Sequence, residues 1–165
     1  MAKAKTAPFY IRRTVDVNSS TAITTLDTSA YVDPADRQGL QIESVDFVFF
    51  KSTNNLPFSS ASDNEIGVQL LTGAYSELQA YDEEDLIASA GLVVDGAAGM
   101  YRVTDMYPDV LGTQDGRIVV DDQMSLIALS DVALSAVKCA VLIKCRVVTL
   151  TNKDYMALAL QTVSN

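Results

Sequence analysis

Val137-Lys138-Cys139-Ala140-Val141-Leu142-Ile143-Lys144-Cys145-Arg146-Val147-Val148-Thr149-Leu150 is the stretch that decides the fold class. Val137, Cys139, Val141, Ile143, Cys145 and Val147 fall on every second position, and Lys138, Lys144 and Arg146 lie opposite, beside Ala140 and Leu142. Period-two alternation puts one apolar face against a core and leaves the other outward, the pattern of a half-buried strand. Its length exceeds the usual 3–10 residues of a strand and suits the middle of a sheet.

The same period recurs on both sides of this run. Phe9, Ile11, Val15 and Val17 alternate with Tyr10, Arg12, Thr14 and Asp16, with Arg13 intruding on the apolar face. Asn18-Ser19-Ser20 reads as a turn, and Thr21–Leu26 as a Thr-rich strand. Asp33-Pro34-Ala35-Asp36 is a second turn. Gln41–Ser52 predicts a strand apolar on both sides, with Val45, Phe47 and Phe49 on one face and Ile42, Val48 and Phe50 on the other. Such a strand is covered on both faces, the second by a loop or by another subunit. Ile66, Val68 and Leu70 align in a further strand. Arg117–Leu129 reads as one long strand, with Asp121-Asp122 marking a bulge or kink. Tyr107-Pro108-Asp109 and Gln114-Asp115-Gly116 are turn signals, and the stretch from Val93 to Arg102 is weak, interrupted by Gly96 and Gly99.

Two segments depart from the β pattern. Asp82-Glu83-Glu84-Asp85 followed by Leu86, Ile87 and Ala90 predicts a short helix over Glu83–Ala90, with acidic residues at its N-terminus and Gly91 ending it. Thr151 to Gln161 has a cap-like Thr151 with Asp154, and its Met, Ala and Leu favour a helix over the competing alternation of Met156, Leu158 and Leu160. Recurrent turns between short apolar runs predict an all-β chain, a single β-sandwich of jelly-roll type with one or two short helices. The expected organisation is a basic N-terminal arm, residues 1–8, and a single sandwich domain, residues 9–165.

The chain has 165 residues and a net charge of −9, enough length for one domain with a real core. Lys3, Lys5, Arg12 and Arg13 stand in a segment without acidic residues; the rest carries all 21 acidic residues against 8 basic ones. An acidic body repels nucleic acid, whereas a basic arm suits an acidic neighbouring subunit, anionic lipid or nucleic acid. These four residues are the candidate partner contacts. The N-terminal segment has no apolar stretch after its charges, so a secretory signal is not expected, and synthesis in the cytosol is.

Chemistry is sparse. With no His, the usual catalytic triads and the commonest imidazole metal ligand are excluded. Cys139 and Cys145, in one strand, would lie about 20 Å apart, beyond the 7 Å or so that a disulfide spans. They read as buried free thiols. No phosphate-cradling glycine motif and no nucleophile elbow occurs. The carboxylate runs Asp82–Asp85 and Asp121-Asp122 have two readings: Ca²⁺ ligands between subunits, without an EF-hand pattern, or a helix start and a solvated bulge. No enzymatic activity, cofactor or small-molecule substrate is expected.

The basic arm, about eight strand-like runs and the helix expected at Glu83–Ala90 resemble the small single-jelly-roll capsid proteins of tailless icosahedral viruses of archaea and bacteria. The segments Tyr31–Leu40 and Cys145–Leu150 share that character. The resemblance implies a structural protein that tiles a shell from many copies of itself, alongside other capsid proteins, in a virion and often over an internal membrane. A tail-tube or filament subunit and a small non-catalytic β-sandwich binding module are the alternatives.

Overall fold

The run from Val137 becomes the strand on which the first sheet is built. The computed structural model describes residues 2–97, 100–107 and 117–161, with the backbone alone described at 100–107 and at 161. In chain order the elements are β1 (Lys3–Ala4), β2 (Phe9–Asp16), β3 (Ala22–Asp27), β4 (Gln38–Lys51), β5 (Asn64–Thr72), β6 (Leu86–Asp95), β7 (Met100–Tyr107), β8 (Arg117–Val119), β9 (Gln123–Ser130), β10 (Val137–Thr149) and α1 (Asn152–Gln161). Two antiparallel sheets result. In the first, β10 pairs with β4 on one side and with β1 and β2 on the other, and β4 pairs with β8. The second runs β3-β9-β5-β6-β7.

The pairs β5–β6, β4–β8, β3–β9 and β2–β10 are nested, each inner pair enclosed by the next. Rolled up with its members shared between two sheets, this nest is a jelly roll. Facing side chains fill the space between the sheets. Val141, Ile143 and Cys145 of β10, Leu40, Ile42 and Phe49 of β4, Val68 and Leu70 of β5, and Met124 and Leu126 of β9 are all buried in one cluster. Each large apolar side chain fully buried there contributes about 1.5–3 kcal/mol. The edges of the two sheets are tied where Thr24 Oγ1 donates to the Thr14 carbonyl at 3.0 Å.

Three expectations are corrected. The segment Glu83–Ala90 is not a helix; from Leu86 onward it is β6, paired with β5 and β7. Both faces of its first half are buried, Ala88 and Ala90 in the inter-sheet core and Leu86 under the connection that precedes it. A strand covered on both sides loses its alternation, and the run Leu86-Ile87-Ala88 then mimics helical spacing. Arg117–Leu129 is two strands rather than one. Asp121 and Asp122 form the corner where the chain leaves β8 in the first sheet and enters β9 in the second. Ile42 shares the core face with Val45 because β4 carries a register shift opposite Lys144 and Cys145, so that Glu43 is skipped in the pairing. One extra residue inverts the alternation on one side of it.

The terminal helix forms as expected. Thr151 Oγ1 accepts from the Asp154 amide at 3.2 Å, and the Thr151 carbonyl accepts from the Tyr155 amide at 3.0 Å. Tyr155, Leu158 and Ala159 pack on Val120, Val148, Leu150, Ile118 and Ala2. The N-terminal segment lies along β10, with Lys3 opposite Thr149 and the Lys5 amide donating to the Val147 carbonyl at 2.8 Å. The turns expected at Pro108-Asp109 and Gln114-Asp115-Gly116, and Gly99, lie outside the described residues. No helix among the described residues is long and apolar enough to cross a membrane.

Candidate interaction face

The outward face of the first sheet is built by the same alternation that fills the core. Reading across β2, β10 and β4, the pairing makes four rows: Asp16–Lys138–Phe50, Thr14–Ala140–Val48, Arg12–Leu142–Asp46 and Tyr10–Lys144–Ser44. The middle rows are apolar at the centre. Val48 is 57% exposed although it lies mid-strand between two phenylalanines. Arg12, Arg13, Thr14, Val48, Ala140, Val141 and Leu142 line an open groove of about 450 Å³.

Charges surround the groove. Lys138 Nζ pairs with Asp16 Oδ1 at 3.0 Å, and Lys144 Nζ with Glu43 Oε2 at 3.1 Å. Arg146 also reaches Glu43, whose carboxylate thus holds two cations. Arg12 has no acidic partner among the described residues: Asp46 shares its row, but Leu142 intervenes, and two strand spacings separate them by about 10 Å. Arg13 turns its guanidinium back to the Arg12 carbonyl at 2.8 Å. Arg12, in the outward row, borders the apolar floor, and Arg13 follows it in the lining although its pairing with Val141 sets it on the other face of β2; the fork-like donors of a guanidinium suit carboxylates.

Of the four basic candidates, the structure brings Arg12 and Arg13 together at this groove. Lys3 and Lys5 lie near the far end of β10, about 20 Å further along the strand at its rise per residue. Lys5 Nζ stands 3.9 Å from Asp36 Oδ2. The sequence places Val48 on the strand face expected to meet a loop or another subunit, but Ala140 and Leu142 were not nominated, although their interruption of the charged positions of β10 was the signal.

The two carboxylate runs divide between inside and outside. Asp85 is buried and accepts from Tyr75 Oη at 2.7 Å, while Asp82 and Glu84 are exposed. Asp121 Oδ2 accepts from Thr72 Oγ1 at 2.5 Å. Among the described residues no three His, Cys, Asp or Glu groups converge. A crevice of about 30 Å³ between Thr72, Asp85, Arg117 and Leu158 has room for about one water-sized molecule. Both cysteines are free and buried. Burial pushes the Cys139 thiol up to about 12 and the Cys145 thiol up to about 11. Neither is a ready nucleophile at neutral pH.

No family model matches the chain, and no curated protein does. Among solved structures it is similar to a chain from Desmodium yellow mottle tymovirus, at 6% identity and a TM-score of 0.41, over 88% of this chain and 90% of that one. The jelly-roll assignment rests on the strand order itself.

Proposed function

We propose that the chain is a self-assembling structural protein, a viral major capsid subunit whose copies tile a shell, and that it is not an enzyme. The observation that carries this reading is the apolar-centred outward face of β2, β10 and β4. The jelly roll is used by capsid subunits, lectins and cupins alike, so the fold does not choose among them. Here the space between the sheets is filled by the chain's own side chains, while Val48, Ala140 and Leu142 stand toward solvent in mid-sheet. A rigid plate with an apolar centre and a charged border is built to be covered by another protein surface. In this reading the protein resides in the virion, of the tailless icosahedral kind that infects archaea or bacteria. Its main partners are further copies and other shell proteins. Lys3 and Lys5 serve as its contact with anionic lipid or nucleic acid.

Light scattering with negative-stain imaging of purified protein tests the reading. Closed shells or sheets support it, and rods point instead to a tail-tube or filament subunit. A clean monomer across salt and calcium concentrations overturns it.

A further inference from the structure

The connection between β5 and β6, residues 73–85, is laid over the outward face of the second sheet. Gln69 and Gln79 clasp it, Gln69 Nε2 donating to the Gln79 carbonyl at 2.8 Å and the Gln79 amide donating to Gln69 Oε1 at 2.7 Å. Ser125 Oγ accepts from the Tyr75 amide at 3.1 Å and donates to the Gly73 carbonyl at 2.8 Å. Tyr75 and Leu78 pack on Leu71, Leu86 and Ile127 beneath. Two tight turns close its end, with the Glu83 amide on the Ala80 carbonyl at 3.1 Å and the Leu86 amide on the Glu83 carbonyl at 3.2 Å. What this anchored strap presents to solvent is Tyr81, 54% exposed, followed at once by exposed Asp82 and by Glu84.

This knob is the chemical complement of the groove on the first sheet. We infer that Tyr81 of one copy seats on the Val48, Ala140 and Leu142 floor of the next, with Asp82 and Glu84 meeting Arg12 and Arg13. The inference rests on the self-assembly reading and names its contact. An aromatic ring buries about 150–250 Å², and an Arg beside it adds a cation–π attraction. Arg–carboxylate pairs supply direction and register. The turns hold the knob before contact, so little freedom is lost on docking. Terminal helix α1 also exposes Met156 and Leu160, but its one acidic residue, Asp154, lies in the first turn, away from Leu160.

Knob and groove lie on the outward sides of opposite sheets. A two-fold axis cannot satisfy both at once, so the contact is heterologous and a docked pair keeps one free groove, on one copy, and one free knob, on the other. Head-to-tail contacts of this kind propagate.

The test uses full-length protein in three forms. Arg12→Glu with Arg13→Glu reverses the groove, and Asp82→Lys with Glu84→Lys reverses the knob. All four sites are on the surface, and thermal unfolding verifies that each variant folds; Val48→Asp and Tyr81→Ala are second variants at groove and knob. Each reversed protein alone should need a higher concentration to assemble, by roughly tenfold per charge pair lost. Mixed in equal amounts they should assemble again, because reversed knob meets reversed groove. Unreversed protein that assembles while both variants assemble equally well overturns the inference and leaves the assembly reading standing. Variants that fail alone and fail mixed also overturn it, since the two surfaces then do not meet. A groove variant that assembles normally but loses binding to a single-stranded oligonucleotide assigns the arginines to phosphate and overturns it. Unreversed protein that stays monomeric under all conditions removes the assembly reading itself.

Discussion

Thr72 Oγ1 donates to Asp121 Oδ2 at 2.5 Å, tying the end of β5 to the corner between β8 and β9. Thr28 holds the same corner from the other side, its Oγ1 donating to the Asp121 carbonyl at 2.7 Å and its amide to the Asp122 carbonyl at 2.8 Å. Both threonines are buried. Thr72→Val removes a hydrogen bond to a charged acceptor while keeping the shape, and should cost about 1.5–3 kcal/mol. Urea unfolding measures this. An unchanged midpoint would mean that Thr28 and the two strands hold the corner without the Thr72 bond.

Gly96 follows β6 directly, and its amide donates to Asp63 Oδ1 at 2.9 Å. A Cβ added there would meet the Ala61 carbonyl oxygen at 2.3 Å. That oxygen belongs to backbone and cannot swing aside. Gly96→Ala should therefore destabilise by about 1–3 kcal/mol through forced backbone shifts. A thermal midpoint equal to that of the parent protein would show that the Ala61 loop yields freely.

The strap depends on its glutamine clasp. Gln69→Ala deletes both Gln69–Gln79 hydrogen bonds and should free residues 73–85 before the sheets open, at about 1–3 kcal/mol of local stability. Hydrogen exchange resolves the two levels. Faster exchange at Gln79 with unchanged β10 protection is the expected result, and uniform acceleration everywhere would contradict it.

Cys139 and Cys145 predict an alkaline limit. Burial pushes their thiols up to about 12 and about 11 in the folded chain, above the ordinary value of 9.0. Between pH 9 and 12 the unfolded chain loses these protons first, so stability should fall as pH rises through that window and be insensitive to the thiols below it. Cys139→Ala and Cys145→Ala in one chain should flatten this slope in denaturant titrations. At pH 8 a thiol reagent should react only as fast as the chain opens; fast labelling of native protein would contradict the burial.

What was legible in the sequence follows from one-sided burial. Where a strand has core on one side and solvent on the other, period two is written into the residues, and β2 and β10 were readable to within a residue or two. Thr151 capped its helix because a cap is a local hydrogen bond. The buried state of both cysteines followed from their place in the alternation of β10. Where tertiary structure covers a strand twice, as the strap and the core do at Leu86-Ile87-Ala88, alternation vanishes and helical spacing appears by coincidence. The skipped Glu43 and the corner at Asp121-Asp122 were equally hidden, because a shift of one residue or a change of sheet is decided by the partner strand and not by the segment itself. The candidate face divides the same way. Arg12 and Arg13 were visible as charges, but Val48 became exposed, Tyr81 prominent and Arg12 neighbour to Leu142 only when the register of β2, β10 and β4 and the fold of the strap set them in space. Sequence alone determined that the chain makes strands and which positions are apolar. Only the nested pairing of distant strands decided which apolar residues remain outside, because exposure depends on what lies across the sheet, and that is a property of the whole roll.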